Sequence, residues 1–384
     1  MYRPEREFPP FDLKRLLTTV FRPQPGQNLA ILIDFDDPAQ EMSDLKFLQE
    51  STAYPIQEIA HSVFYKPLVE GLADELGLDQ IGFFAYQKTY GSNRDLPDVC
   101  IDMQGQALNL EESVYPVYDI ILAITTYSAT APLAALCKTY GFRGATLHGT
   151  NKTILASGLA VDGEEASRHT EKLRRAMSPA DAVEIDFTVA DQKATLRVEL
   201  NGQEAQKAHG LCRDKADVVN LPTGEVYYVP ANANGAYPYK YEHSDTLAMM
   251  IVKERRVVDA RLIRGDQSII DQHLALIKKD PAVGDLGELG FGTQVLPFSG
   301  ADIQDEKILG TFHLATGRSD HLGGDILPEN FIYRENATHD DVLFSPDKNA
   351  EIGSPQVRLY RNGQTIVLLE NYTPAQFIMD VIEN

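Results

Sequence analysis

The sequence predicts an α/β N-terminal domain with a mostly parallel sheet, followed by a β-rich α+β domain that carries the candidate functional residues. Over roughly the first 160 residues, apolar runs typical of buried strands alternate with stretches of helical spacing, which favours crossover units. Beyond residue 180, apolar and polar residues alternate strictly in short segments, which indicates antiparallel strands. We therefore expect two domains, residues 1–180 and 181–384.

The N-terminal elements can be predicted one by one. Residues 29–35 (LAILIDF) form a continuous apolar run after the turn signal Pro25-Gly26, so we expect a buried strand there. Residues 43–76 carry apolar side chains at helical spacing. The other expectations for this half are strands at 80–86, 119–125 and 142–148, a helix at 132–140 with a proline in its first turn, and a helix at 163–177.

The C-terminal elements are shorter. Residues 183–189 and 194–200 alternate between apolar and polar side chains and are predicted strands. Asn201-Gly202 is the strongest hairpin signal in the chain, because type I′ turns need positive φ at both central residues. A helix is predicted near 267–279, and the remainder is expected to consist mainly of short strands and turns.

The net charge limits the classes of partner. With 35 Lys+Arg and 56 Asp+Glu the formal charge is −21, which argues against a broad nucleic-acid or anionic-membrane surface, because both require basic residues. No apolar run approaches the roughly 20 residues of a membrane-spanning helix. The N-terminus lacks the apolar segment of a secretion signal, and the three cysteines are widely spaced. We therefore expect a cytoplasmic protein.

Histidine and aspartate side chains near the C-terminus suggest a metal site. In His339-x-Asp341 the two side chains would share one face of a strand, because residues two apart point the same way. A converging imidazole and carboxylate are suitable ligands for a divalent ion, and His313 lies nearby in sequence. Chance histidines in a polar loop explain this window equally well.

Two glutamates favour the metal interpretation. Glu225 follows a tight Pro-Thr-Gly turn and begins an apolar run, and Glu288 lies between glycine and leucine in the segment LGELG. Burying an unpaired carboxylate is very costly, and a bound cation would remove that cost. The alternative for each residue is an exposed glutamate in a turn.

Four motifs, in this order, resemble the M29 family of metalloaminopeptidases, which includes aminopeptidase T and leucyl aminopeptidase II. They are N-L-P-T-G-E-V at 220–226, L-G-E at 286–288, G-T-x-H-x-A-x-G at 310–317 and H-x-D at 339–341. The resemblance implies a cytoplasmic, dimeric enzyme that removes N-terminal residues from peptides with two divalent metal ions, Zn, Co or Mn. The metal ligands that it implies are Glu225, Glu288, His313, His339 and Asp341.

Departures from the family pattern indicate a divergent member. The family usually has a tyrosine seven residues after the histidine of G-T-x-H, and here that position is Asp320, followed by His321. The aromatic residue of the usual H-W-D motif is replaced by Asp340. His321 and Asp320 are therefore the candidate catalytic side chains. The general base would be His321 or a shifting Glu288, and the substrate amine could bind one ion directly or an acidic side chain such as Asp320 or Asp325.

The chemistry is consistent with a two-metal hydrolase. Three carboxylates and two imidazoles are enough for two divalent ions that share a carboxylate and a water. Neither an H-E-x-x-H helix nor a G-x-S-x-G nucleophile elbow occurs in the sequence. The remaining histidines, including His148, are assigned structural or solvent roles. Tyr237 and Tyr239 are expected to pack in strands rather than line a cleft.

Two alternatives stay open. His313, His339 and Asp341 alone are two histidines and one carboxylate, the ligand set of mononuclear non-haem Fe(II) oxygenases, and some ring-cleaving dihydroxypyridine dioxygenases resemble the same family. Glu225 and Glu288 argue against this alternative, because a single iron would not require them. The second alternative is a non-catalytic binding protein on the same scaffold.

Overall fold

Three sheets organise the part of the chain that the computed structural model describes, residues 4–49 and 52–383. The strands are β1 (Gln27–Phe35), β2 (Leu78–Gln87), β3 (Val99–Asp102), β4 (Ala107–Asn109), β5 (Ile120–Ala123), β6 (Arg143–Thr146), β7 (Ala180–Val189), β8 (Gln192–Gln203), β9 (Gln206–Ala208), β10 (Val218–Asn220), β11 (Glu225–Tyr228), β12 (Asn232–Lys240), β13 (Leu247–Lys253), β14 (Arg256–Arg264), β15 (Leu286–Gly292), β16 (Phe312–Gly317), β17 (His339–Phe344), β18 (Ile352–Gly353), β19 (Gln356–Arg361), β20 (Gln364–Glu370) and β21 (Thr373–Pro374).

Helices connect and cover these strands. The α-helices are α1 (Leu13–Val20), α2 (Pro38–Met42), α3 (Lys46–Gln49), α4 (Pro55–Ile59), α5 (Ala73–Leu76), α6 (Leu110–Ser113), α7 (Thr130–Tyr140), α8 (Lys152–Ala156), α9 (Gly163–Ala176), α10 (Gln267–Lys279), α11 (Asp302–Asp305) and α12 (Gln376–Glu383). Short 3-10 turns cover Ser43–Leu45, Pro281–Gly284, Asp320–Leu322, Pro328–Asn330 and Arg334–Asn336, and π-helical turns cover Ala60–Tyr65 and Leu68–Leu72.

The first sheet, called the parallel sheet, has the strand order β10-β6-β5-β1-β2-β3-β4. Its first five strands are parallel, and β3 and β4 extend it as an antiparallel edge. Alternate residues of β1 pack into separate apolar clusters on the two faces, Ile31 and Ile33 on one and Ala30 and Leu32 on the other. Helices cover both faces, which explains why residues 29–35 are continuously apolar.

Two antiparallel sheets pack against each other in the C-terminal half. The ligand sheet has the order β17-β16-β15-β11-β9, and the larger outer sheet runs β14-β13-β12-β8-β7-β19-β20-β21, with β18 beside β7. Aromatic rings fill the space between them: the Phe344 centroid lies 4.9 Å from that of Phe187 and 5.0 Å from that of Phe312. The chain therefore combines a partly parallel sheet with antiparallel sheets, in agreement with the predicted mixed α/β and β-rich arrangement.

Most predicted elements coincide with observed ones. The strands predicted at 29–35, 80–86, 119–125 and 142–148 correspond to β1, β2, β5 and β6, and those at 183–189 and 194–200 lie within β7 and β8. The predicted helices at 132–140, 163–177 and 267–279 correspond to α7, α9 and α10. The boundary at residue 180 stays a prediction, and β10 crosses it by pairing in parallel with β6 of the first sheet.

The helical spacing of residues 43–76 corresponds to a series of short helical pieces, interrupted where Asp44 and Gly71 have positive φ and where Pro55 begins a new helix; residues 50 and 51 lie outside the described part. The hairpin prediction was wrong. Asn201-Gly202 has the predicted positive φ values but lies inside β8, where the pairing with β7 shifts register. The dipeptide forms an irregularity of the strand and not a hairpin turn.

Membrane-spanning helices are not found within the described ranges, since no helix there is both long and apolar enough to cross a bilayer.

Candidate metal centre

Strand alternation places all five predicted ligands on one face of the ligand sheet. Glu225 begins β11, Glu288 lies on β15, His313 on β16, and His339 and Asp341 on β17, and these four strands are neighbours. Their alternate residues enter the core shared with the outer sheet; these are Val226, Tyr228, Leu289, Phe291, Phe312, Leu314 and Phe344. Burial of the apolar face therefore forces the polar side chains onto the opposite face.

Gly290 makes room for the imidazole of His313. The two residues are paired across β15 and β16, and a Cβ at Gly290 would collide with Cε1 and Nε2 of the His313 ring. The His313 side chain is 2% exposed, and its Nδ1 has no hydrogen-bond partner among the described residues. A buried imidazole that packs against a glycine and has an unpaired nitrogen is suited to bind a cation.

Glu288 lies between the two histidines. Its Oε1 is 3.5 Å from His313 Nε2, and its Oε2 is 3.0 Å from His339 Nε2. The glutamate is 3% exposed, so this arrangement is enclosed by protein. A carboxylate with one oxygen towards each imidazole has the geometry of a bridging ligand.

His339 is oriented by a backbone contact. Its Nδ1–H donates to the carbonyl oxygen of Arg318 at 2.6 Å, which fixes the tautomer and leaves Nε2 facing the carboxylates. That Nε2 is 3.0 Å from Glu288 Oε2 and 3.4 Å from Asp341 Oδ1. The outer contact of His339 is typical of a metal-binding histidine.

The ligand atoms form three overlapping groups, each with all its atoms within 4.8 Å of one another. The groups are Glu225–Glu288–His313, Glu288–His339–Asp341 and Glu306–His313–Asp341. The first two share Glu288, and none of the three contains both histidines. The imidazole and carboxylate donors suit a divalent ion such as Zn or Mn.

A buried ion pair lies beside the first group. The Lys307 side chain is 1% exposed, and its Nζ donates to Glu225 Oε2 at 2.7 Å and to Glu306 Oε1 at 2.5 Å. Glu225 Oε2 is also 3.7 Å from His313 Nε2. Sequence analysis missed Glu306 and Lys307, although the charged run Asp305-Glu306-Lys307 shortly before G-T-x-H was a visible signal.

Protonation of these side chains reflects the excess of carboxylates around them. Burial lowers the pKa of His313, but the hydrogen bond and charge of Glu288 outweigh it and raise the pKa to about 10. Burial also opposes a charged His339, yet Asp341 and Glu288 raise its pKa well above the usual value. Burial raises the pKa of Glu306 to about 8, against the charge of Lys307. The imidazoles therefore carry protons that a metal ion would replace.

The predicted catalytic side chains, His321 and Asp320, lie close to His339. The His321 ring is edge-on to that of His339, with centroids 4.9 Å apart, and His321 Nδ1 is 4.0 Å from Asp320 Oδ1. Asp320 is held by two 2.9 Å hydrogen bonds from Arg318. Neither His321 nor Asp320 lines the cavity described below, and Asp325 pairs with Arg255 at 2.8 Å.

A cavity of about 570 Å³ opens beside His339 and Asp341. Its far wall follows the carboxyl ends of parallel strands: Tyr127 comes after β5 and His148 after β6. Ligands of open α/β sheets bind at this edge. The cavity therefore lies between the parallel sheet and the ligand sheet.

One side chain has a different place from the one expected, and two that pack in a strand as expected have an additional one. His148, assigned a structural or solvent role, lines this cavity, its Nδ1 is without a partner among the described residues, and burial lowers its pKa to about 4. Tyr237 and Tyr239, expected in strand packing, pack in β12 and also line the cavity. The sequence gives no signal for these positions, because strands distant in the chain form the cavity.

Comparisons with known proteins bear on the fold. No protein-family profile and no curated protein matches the sequence. The structure is similar to that of 2,5-dihydroxypyridine dioxygenase from Pseudomonas putida KT2440, with a TM-score of 0.58 and 12% identity over 95% of this chain and 97% of that one. It is also similar to wild-type AmpT from Thermus thermophilus, with a TM-score of 0.54 and 14% identity over 94% and 98%. The chain shares one fold with both proteins along nearly its whole length.

Proposed function

We propose that this protein is a metal-dependent hydrolase that removes N-terminal residues from peptides. The observation that carries the proposal is the position of Glu288, whose two oxygens face His313 and His339 separately. One ion position would consist of Glu225, Glu288 and His313, and the other of Glu288, His339 and Asp341. A shared carboxylate would hold two divalent ions close enough to act on one water.

Two divalent ions at these positions would lower the pKa of a shared water and polarise the peptide carbonyl. The protein residues supply the rest of the chemistry. The Arg318 carbonyl keeps the His339 ring in place, and the buried sheet face excludes bulk water from Glu288. Glu288 is the candidate acceptor for the water proton if it shifts so that one of its oxygens no longer faces an ion, because a carboxylate with both oxygens on ions cannot take up a proton.

The cavity supports a substrate with a free amine. Carboxylates outnumber ammonium groups on its walls, with Glu242, Asp302, Glu306, Asp340 and Asp341 against Lys240 and Lys348. A protonated α-amine would be attracted to such walls, and a blocked N-terminus would lose that attraction. The volume is within the range of pockets for small ligands and short peptides.

The fold comparison supports the same class. AmpT is an aminopeptidase of the M29 family, and the M29-like motifs of this chain fall on the strands that form the metal centre. The family resemblance also leads us to propose a cytoplasmic homodimer. Light scattering of the purified protein would test the dimer. A monomer in solution would contradict the dimer without affecting the metal centre.

The function is tested with paired peptides and paired variants. The metal-loaded protein should release an amino acid from an unblocked peptide, fail on the N-acetylated peptide, and lose activity with a chelator. Glu288→Gln should abolish the activity and reduce the bound metal, whereas Glu112→Gln, at an exposed glutamate of α6, should change neither. Cleavage of the acetylated peptide, or full activity of Glu288→Gln, would contradict the proposal.

A mononuclear Fe(II) ring-cleaving oxygenase is the second candidate, because the Lys307 ammonium already pairs with Glu225 and a similar fold occurs in a dihydroxypyridine dioxygenase. Against it, His313 and His339 fall in different ligand groups. Oxygen uptake with a dihydroxypyridine by the Fe(II)-loaded protein, with no release of amino acids from peptides, would favour the oxygenase over the hydrolase.

A further inference from the structure

Lys307 is a cation built into the metal centre. Its ammonium lies 2.7 Å from Glu225 Oε2 and 2.5 Å from Glu306 Oε1, and its side chain is 1% exposed. Glu225 belongs to one ligand group and Glu306 to another. The lysine therefore contacts carboxylates from two of the three groups that could hold an ion.

The backbone fixes the place of this lysine. The Lys307 N–H donates to Gln304 O, and the Lys307 carbonyl accepts from Gln294 N, both at 2.9 Å. Gly292 lets the loop approach β15, because a Cβ there would collide with the Ile308 carbonyl. Main-chain contacts on both sides of the residue thus hold the ammonium against Glu225.

The charge count distinguishes the two ion positions. Glu225, Glu288 and Asp341, the carboxylates of the two ion positions, carry three formal negative charges, and the lysine leaves two. One divalent ion would neutralise this buried cluster, and a second would make it positive. Since Lys307 contacts Glu225 but not the group of Glu288, His339 and Asp341, it opposes the ion at the Glu225 position more strongly.

We propose that Lys307 makes the two ion positions unequal. The position formed by Glu288, His339 and Asp341 fills first, and the position formed by Glu225, Glu288 and His313 fills at least tenfold more weakly, because its carboxylate is shared with an ammonium. Lys307 acts as a positioning residue that competes with the second ion. The inference rests on the metal centre of the proposed function, but not on the reaction.

Calorimetric titration of the metal-free full chain with Zn²⁺ alone, or with Mn²⁺ alone, tests this inference. The wild-type protein should show two steps whose dissociation constants differ at least tenfold. Lys307→Gln should strengthen the weaker step at least tenfold, whereas Lys307→Arg should keep the gap. The matched control is Lys207→Gln, which removes a partly buried lysine paired with Glu171 at 2.9 Å and should leave the gap unchanged.

The wild-type titration is decisive even if Lys307→Gln does not fold. Two equally tight ions in the wild-type protein, or an unchanged weaker step in a folded Lys307→Gln, would overturn the inference. Absence of any divalent-ion binding would overturn it together with the proposed metal centre. Unequal binding without peptide hydrolysis would contradict the proposed reaction and leave the role of Lys307 supported.

Discussion

Glycine at position 290 is as important to the candidate centre as the ligands themselves. A side chain there would occupy the space of the His313 ring, and in the sequence Gly290 is only one of several glycines around Glu288. The sequence indicated His339 and Asp341 through strand spacing, and it indicated the full ligand set through the resemblance to the M29 family. It did not predict that a glycine on the next strand would admit the imidazole.

We expect Gly290→Ala to weaken metal binding by at least tenfold, because the new methyl group must displace His313. Elemental analysis and titration with Zn²⁺ would measure the loss. The comparison variant is Gly105→Ala, at a turn where a Cβ would contact no other atom. Because φ at Gly105 is +76°, the alanine should lower the free energy of unfolding by about 1–2 kcal/mol. Wild-type affinity in Gly290→Ala would contradict the proposed position of His313.

Protonation of the two histidines predicts the pH dependence of metal binding. Both imidazoles are protonated near neutral pH in the metal-free protein, with the pKa of His313 at about 10. An ion must replace those protons, so affinity should rise with pH, and binding near pH 7.5 should release about two protons per chain. Calorimetry in buffers of different ionisation enthalpy measures the release. Metal binding without proton release would contradict this protonation.

The raised pKa of His313 also makes the stability of the protein without bound metal depend on pH. A histidine whose pKa is raised on folding contributes stability that is fully present below the unfolded pKa of about 6.5. For His313 this contribution falls as pH rises from there through about 10. Thermal unfolding in a chelator should therefore show a lower transition temperature at pH 10 than at pH 7, and metal should reduce the difference.

At the scale of elements, β15, β16 and β17 carry both the core and the site. Phe312 and His313 are neighbours on β16 and point to opposite faces. The alternation was readable in the sequence, whereas the pairing of these strands was not, because strand neighbours depend on contacts between residues far apart in the chain. The hairpin prediction at Asn201-Gly202 was wrong for a related reason. The positive φ values of the two residues occur inside a strand, where the pairing shifts register, and not in a turn between strands.

Phe344→Ala tests this coupling between core and site. The ring is 1% exposed and contacts Phe187 and Phe312, so its removal should lower the free energy of unfolding by about 3–5 kcal/mol. Ion affinity should fall as well, since His339 and Asp341 lie on the same strand. Phe298→Ala, at a phenylalanine 37% exposed, is the control and should cost less in chemical denaturation. Equal losses would contradict the assigned packing.

At the scale of the whole molecule, one buried arginine joins the two halves. Arg318 is 1% exposed; its Nη1 donates to Asn93 O at 2.7 Å, and its other nitrogens donate to Asp320. Its own carbonyl orients His339. The same residue therefore connects the loop after β2 with the ligand sheet and stands beside the candidate centre.

We expect Arg318→Ala to destabilise the protein by about 3–5 kcal/mol, because Asp320 would lose its partner in a largely buried site. Arg334→Ala is the matched control: Arg334 also reaches the loop after β2, through Asp95 at 2.6 Å, but its side chain is 55% exposed. That exposed pair should contribute about 1 kcal/mol or less. Urea denaturation of both variants would compare them, and similar losses would contradict the role of Arg318.

The sequence by itself determined the mixed fold class and most element positions, and it predicted the residue types of the candidate metal centre. Apolar periodicity and strand alternation are local properties, so they can be read from the sequence without knowledge of the tertiary structure. Only the tertiary structure decided that Glu306 and Lys307 border the centre, that Gly290 admits His313, and that His148 lines the cavity. Those contacts join strands far apart in the chain, and their distances depend on how the sheets pack.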